Sequence, residues 1–353
     1  MNHSVLNIPL NLLRKVKRRI GFTTRQWCSR NILLARVYYA FFNASFAQEQ
    51  IAVLAGACAY GDSLKTAEGS MALLRRNIHR IEKGLLMRPR RVPFALDYID
   101  ETVDAFFLAK QTPNFDPLEL RWAFDVLREY AHVCSSSHER LEGLAERLAQ
   151  AYCTASTGTR SLVPYHRDLA TPPPVAYEEL MALAVRRRSV RWFLQKPVPR
   201  ELIDQAIILA AEAPSACNRQ PFEFRVLDDP TLVQKAISIP FGLAGYGHNV
   251  PCLVVLVGKQ RNFFSERDRH LVYIDGSLAS MSLLLALETL GLSSCCVNWP
   301  EIVSNNLKMS SLLGLASDER PVMLIAVGFP DPDGMVARST KKSLDSIRRF
   351  NFE

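Results

Sequence analysis

At 353 residues the chain is long enough for two domains, each able to bury a core without disulfide or metal staples. The formal net charge of +8 resides in the first 40 residues, which hold eight Lys or Arg and no acid, while the remaining 35 basic and 35 acidic residues cancel. A neutral body argues against a nucleic-acid-binding fold and leaves a local basic contact surface, and eight cysteines with no Cys-x-x-Cys spacing argue against a zinc site or disulfide framework and for a reducing, cytoplasmic compartment.

From Val5 to Ile20, the residues Leu6, Leu10, Leu13, Val16 and Ile20 recur at helical spacing against Arg14, Lys15, Lys17, Arg18 and Arg19. This predicts a basic amphipathic helix that packs on its own protein, lies on an anionic membrane surface or meets an acidic partner. No apolar core of about 7 to 15 residues follows the charges, so it does not read as a signal peptide. No stretch reaches the roughly 18 uninterrupted apolar residues of a membrane span; the run beginning at Ile32 comes nearest and Arg36 interrupts it. A soluble or peripheral protein is expected.

Between Gln48 and Cys153 the pattern is helical throughout, with helices predicted from Met71 to Gly84, Pro93 to Lys110, Pro117 to Cys134 and His138 to Cys153. Gly84, Pro93, the Asp116-Pro117 cap and the serines from Ser135 to Ser137 mark the cuts. Leu120, Phe124, Leu127 and Ala131 give one helix a buried stripe. The cluster of His79, Glu82 and Lys83 reads as salt-paired helix surface. Residues 1–153 are thus expected to form a basic amphipathic terminus plus an all-α domain, and the proline-rich stretch 154–176 a stiff linker.

The remainder, 177–353, alternates. Helices are expected from Tyr177 to Val185, Pro199 to Ala211, Thr231 to Ile239, Leu271 to Leu290 and Ile302 to Leu307. Strands are expected from Phe222 to Leu227, Cys252 to Val257, Ser294 to Asn298 and Met323 to Val327. This predicts an α/β domain, a central sheet covered by helices on both faces. The segment from Leu271 to Leu290 has almost no polar face, so it must be buried nearly all round, as a core helix or in the interface of an obligate homodimer.

Two stretches carry chemistry. Arg187, Arg188, Ser189 and Arg191, backed by Trp192 and Phe193, offer charge-assisted donors to a doubly charged phosphate. Pro214, Ser215, Ala216, Cys217, Asn218, Arg219, Gln220 and Pro221 pack two prolines and several polar groups into a turn between a helix and a strand. With the segment Gly291-Leu292-Ser293-Ser294-Cys295-Cys296-Val297-Asn298-Trp299, these occur in the order found in the nitroreductase family of FMN-dependent oxidoreductases, which the chain resembles from about Tyr177 to Arg349.

The resemblance implies an α+β sandwich, a homodimer, and bound FMN. Arg187, Arg188, Ser189 and Arg191 would grip the phosphate and ribityl chain; Pro214, Ser215, Ala216, Asn218 and Gln220 would reach the flavin from the partner subunit. Cys296, Val297 and Asn298 would run beside the isoalloxazine ring, and of the tail residues Arg338, Lys341 and Lys342, the first two are carried as phosphate contacts. It further implies ping-pong hydride transfer from NAD(P)H to a small organic acceptor, with the flavin rather than any side chain or metal carrying the chemistry. No Gly-x-Gly-x-x-Gly fingerprint for a separate dinucleotide site occurs.

Phe241, Tyr246, His248, Asn249, Phe263 and Phe264 are expected to form a lid, and Cys217, Cys295 and Cys296 to be small core residues. A nitro or quinone acceptor, a dehydrogenation on a biosynthetic intermediate, and a scaffold or membrane-apposed protein without turnover all remain open.

Overall fold

The computed structural model describes residues 22–66, 68–151 and 161–351. The predicted basic helix from Val5 to Ile20 and the first part of the predicted linker, 154–160, lie outside the described residues.

From Ala47 onward, five helices among the described residues build the first half: α1 (Ala47–Ser63), α2 (Ala72–Leu86), α3 (Ile99–Gln111), α4 (Pro117–Cys134) and α5 (Leu144–Ala151). Helix α4 falls where its cap predicts. The Asp116 carboxylate accepts from Leu118 N and Glu119 N, with Pro117 in the first turn where no donor is needed. Helix α3 starts six residues later than Pro93, because Ala95 adopts a left-handed φ of 62° that no helix accommodates. Helix α5 starts at Leu144, after two 3-10 turns and Gly143 at φ 68°. Leu74, Ile78 and Ile81 of α2, Val103 and Phe106 of α3, and Leu127 and Tyr130 of α4 recur at three- and four-residue spacing and close one apolar core.

The second half holds α6 (Tyr177–Arg186), α7 (Arg200–Ala211), β1 (Phe222–Leu227), α8 (Pro230–Ile237), β2 (Cys252–Lys259), α9 (Leu271–Thr289), β3 (Ser293–Asn298), α10 (Val303–Leu313) and β4 (Glu319–Gly328). The four strands pair in the order β1-β2-β4-β3, antiparallel at every step. The fold is therefore α+β, although helices do separate the strands along the chain.

Strand β2 is apolar at nearly every position because both of its faces are covered. Leu253, Val255 and Val257 pack toward α8 and α10 with Val233, Met309 and Ala326, whereas Cys252 and Val254 pack toward α7 and α9 with Ala206, Leu283 and Ile325. Helix α9 lies on that second face through Val272, Gly276, Ala279, Leu283 and Leu287. By length and composition it is apolar enough to cross a membrane; its packing against the sheet makes it a core helix. Its other face, with Ile274, Leu278 and Met281, is exposed, so within the chain the helix is buried on one side only.

Candidate active site

The arginine loop begins where α6 ends. Arg186 pairs with Glu288 at the end of α9, 2.9 Å away, fixing the direction in which the chain leaves the helix. The loop then runs along β3, an edge strand. Val190 N donates to Ser294 O at 3.0 Å, and Ser189 forms a bridge with Ser294. Phe193 is buried against Gly328, where a Cβ would fall 2.8 Å from its ring, so only glycine lets the ring seat at the end of β4. Leu194 N donates to Phe329 O and Asp331 N to Trp192 O, tying the loop to the start of the tail.

Buried Asn249 completes the frame. Its Oδ1 accepts from Phe193 N at 2.8 Å, and its Nδ2 donates to Arg191 O at 3.0 Å. On this frame the guanidinium groups of Arg187, Arg188 and Arg191 have no carboxylate partner among the described residues. Arg188 Nη1 reaches only the carbonyl of Arg187, and Arg191 Nη1 the carbonyl of Ser189. Arg186, Arg200, Arg261 and Arg320, by contrast, each sit on an acid. Positive charge is concentrated and left unneutralised in one loop.

Beside it lies the open edge of β3. Ser294 spends its carbonyl outward, on Val190, so its backbone points away from β4; by the alternation of a strand, the backbone groups of Cys296 and Asn298 also point off the edge. Both residues are exposed. Although part of Cys296 reaches solvent, desolvation by the atoms packed around its thiol and the adjacent Cys295 push that thiol up, and Arg187 only partly opposes this. Val297 points the other way, into the core.

The turn from Pro214 to Pro221 forms a second cluster. Cys217, Asn218 and Gln220 adopt φ of 54°, 52° and 48°, a left-handed conformation that costs about 1–2 kcal/mol for each residue other than glycine, least for Asn. Three side chains hold it. Asp275 on α9 accepts from Ala216 N at 3.0 Å, Ser215 Oγ accepts from Gln220 N at 3.1 Å, and Arg75 on α2 donates from Nε to Asn218 O at 2.8 Å. Arg75 is in turn held at 2.8 Å by Glu119, a buried carboxylate that also accepts from Ser70 Oγ and Met71 N. Burial raises the Asp275 carboxyl above the usual range, against the opposing pull of Ala216 N–H and Arg219.

Thus the chain sets the loop of Arg187, Arg188, Ser189 and Arg191 alongside β3, which carries Cys296 and Asn298, and separately gathers Pro214, Ser215, Ala216, Asn218 and Gln220 in the turn. Among the described residues no hydrogen bond or ion pair joins the two groups. Arg338, Lys341 and Lys342 are exposed on the tail, and their side chains make no hydrogen bond or ion pair among the described residues. Asp275 and Arg75, which position the turn, were not among the predicted site residues, and Asn249, expected in a lid, instead holds the arginine loop. Nor are all the expected lid residues free to move: Tyr246, Asn249 and Phe263 are buried, while Phe241 is exposed. Of the three cysteines expected in the core, only Cys295 is buried.

Residues 184–242 and 233–329 match the sequence model of the nitroreductase family. Iodotyrosine deiodinase 1 of Pongo abelii is 29% identical over 197 residues, which cover 48% of this chain and 67% of that protein. NADH dehydrogenase of Thermus thermophilus is 26% identical over 182 residues, 43% of this chain and 86% of that protein. A solved structure of an FMN-dependent nitroreductase from Clostridium difficile overlaps 48% of this chain and 98% of its own, at 20% identity and a TM-score of 0.43.

Proposed function

We propose, since residues 184–242 and 233–329 match the sequence model of the nitroreductase family, that the protein is an FMN-dependent oxidoreductase passing hydride from NAD(P)H to a small organic acceptor. The observation that carries this reading is the set of guanidinium groups of Arg187, Arg188 and Arg191, without counter-charge and next to an open strand edge. A flavin mononucleotide phosphate of about two negative charges fits that donor set. Ser189 adds a hydroxyl, and the outward backbone groups of Cys296 and Asn298 would meet the edge of a flat ring. When bound there, FMN supplies the two-electron chemistry.

The chain's own residues have other tasks. Arg187, Arg188 and Arg191 hold the anion, Asn249 keeps their loop in place, and the strained turn from Pro214 to Pro221 presents polar groups at a fixed angle. Because no hydrogen bond or ion pair joins that turn to the arginine loop among the described residues, a homodimer in which each turn completes the partner's site is part of the proposal. So is the division into a helical half, 1–153, a connection, 154–176, and a flavin-binding half, 177–353. The helical half then contributes Arg75 to the site's frame, and the reducing, cytoplasmic setting inferred from the cysteines is retained.

The acceptor is a nitro or quinone compound in the leading reading. The iodotyrosine deiodinase relatives favour a second one, reductive removal of iodine from an iodinated tyrosine. Purified protein is expected to be yellow, to release FMN, to bleach with NADH or NADPH, and to regain colour with one acceptor from a panel of nitroaromatic, quinone and iodotyrosine. Each charge-assisted hydrogen bond is worth about 1.5–3 kcal/mol, so Arg187→Ala with Arg191→Ala should weaken FMN binding by about 100-fold or more, and Ser189→Ala by about tenfold or less. Stoichiometric FMN in the double arginine variant would remove the phosphate assignment; colourless, unreactive protein would favour a scaffold.

A further inference from the structure

Ahead of α1 the chain forms a short hairpin: a helix over 22–28, then Ile32–Val37 continuing as a π-turn, Tyr38–Phe42, and a 3-10 turn, Ala44–Phe46. Asn31 caps the second arm by accepting from Leu33 N. The Tyr38 hydroxyl ties the arms together, accepting from Arg25 Nε at 3.4 Å and from Asn43 Nδ2 at 3.3 Å. So held, the hairpin turns its apolar side chains outward: Phe22, Trp27, Ile32, Leu33, Phe41 and Phe42 are all exposed, Phe41 by 80% and Phe42 by 76%. Between the arms lies an apolar hollow of about 410 Å³ lined by Trp27, Leu34, Val37 and Phe42. A contiguous patch of this kind marks a contact surface.

Charge identifies the occupant. Arg25, Arg30 and Arg36 are exposed on the same hairpin, and the first acidic residue of the chain is Glu49. A second copy docked about a two-fold axis would set the patch against itself, arginines facing arginines. An anionic lipid surface has the opposite charge, takes Trp and Tyr at headgroup depth, and lets arginine stems lie along apolar surface with their heads in water. We propose that this hairpin seats the protein on an anionic bilayer. The contact is interfacial: the apolar stretch Ile32–Phe42, at about 1.5 Å per residue, is roughly half the length a bilayer core of about 30 Å requires. It involves none of the residues assigned to flavin, so it stands or falls separately.

The test uses the full chain and vesicles of phosphatidylcholine with or without phosphatidylserine. Sedimentation is expected with phosphatidylserine only, weakening as salt rises. Bromine-labelled lipid should quench the fluorescence of Trp27, read as the difference between wild type and Trp27→Phe. Phe41→Ser with Phe42→Ser should abolish binding, and each of Arg25→Gln, Arg30→Gln and Arg36→Gln should weaken it about fivefold. All these side chains are exposed or partly so, and unchanged thermal unfolding confirms that the variants fold. Binding to neither vesicle, equal binding to both, or an unquenched Trp27 overturns the proposal. So does a lipid-free oligomer that Phe41→Ser with Phe42→Ser dissociates, since a second copy would then cover the patch.

Discussion

Asp275 is a carboxylate placed among apolar neighbours, on the buried face of α9, to hold one amide of the strained turn. Its raised pKa fixes the sign of a stability effect. A native pKa above the unfolded value of about 3.9 means that the folded state takes up the proton first, so this residue's contribution improves as pH falls and is lost as pH rises through the native pKa. Asp275→Asn keeps an acceptor for Ala216 N–H and does not titrate. Wild type should therefore gain stability relative to Asp275→Asn when melting curves are taken from neutral pH down to about 4; a constant difference would show that the carboxyl is not perturbed. The residues legible in the sequence, such as Arg187 to Arg191, declare themselves because their neighbours in space are neighbours in the chain. Asn249, Asp275 and Arg75 reach the site from 58, 59 and 143 positions away, and a lone Asn before an apolar strand or an Asp on an apolar helix says only that some partner must exist.

Local chemistry fixed the elements that carry it. Asp116 with Pro117 located α4, and the apolar run of β2 located a strand buried on both faces. What escaped were departures made by single residues, as at Ala95, and the role of α1. That helix is rich in Ala and Gly rather than striped, and it approaches the segment after β2 so closely that a Cβ on Gly56 would fall 2.5 Å from Gln260 Cβ and 2.7 Å from its carbonyl carbon. Neither atom is the far end of a flexible side chain. Gly56→Ala should accordingly destabilise the protein by about 1–3 kcal/mol through overpacking. Gly61 lies on the same helix with nothing within 4 Å of its would-be Cβ, so Gly61→Ala should stabilise by about 0.5–1 kcal/mol as the helix gains propensity. Denaturant midpoints decide this, and equal shifts for the two variants would mean that α1 does not dock as described.

For the whole molecule, the lack of any hydrogen bond or ion pair between the arginine loop and the strained turn among the described residues, and the exposure of one face of α9, have a common resolution. A two-fold dimer burying Ile274, Leu278 and Met281 would satisfy the apolar face and allow each turn to approach the partner's loop, which ties flavin affinity to association. A glutamate at Leu278 enters such an interface twice, once from each protomer, and an unpaired buried carboxylate costs several kcal/mol. Ile274→Glu with Leu278→Glu should then halve the mass seen by light scattering and release FMN together. Arg187→Ala with Arg191→Ala should release FMN while the mass stays that of the dimer. The order of effects separates the two ideas: a glutamate variant that becomes monomeric yet keeps its flavin places the whole site within one chain, and one that remains dimeric moves the interface away from α9.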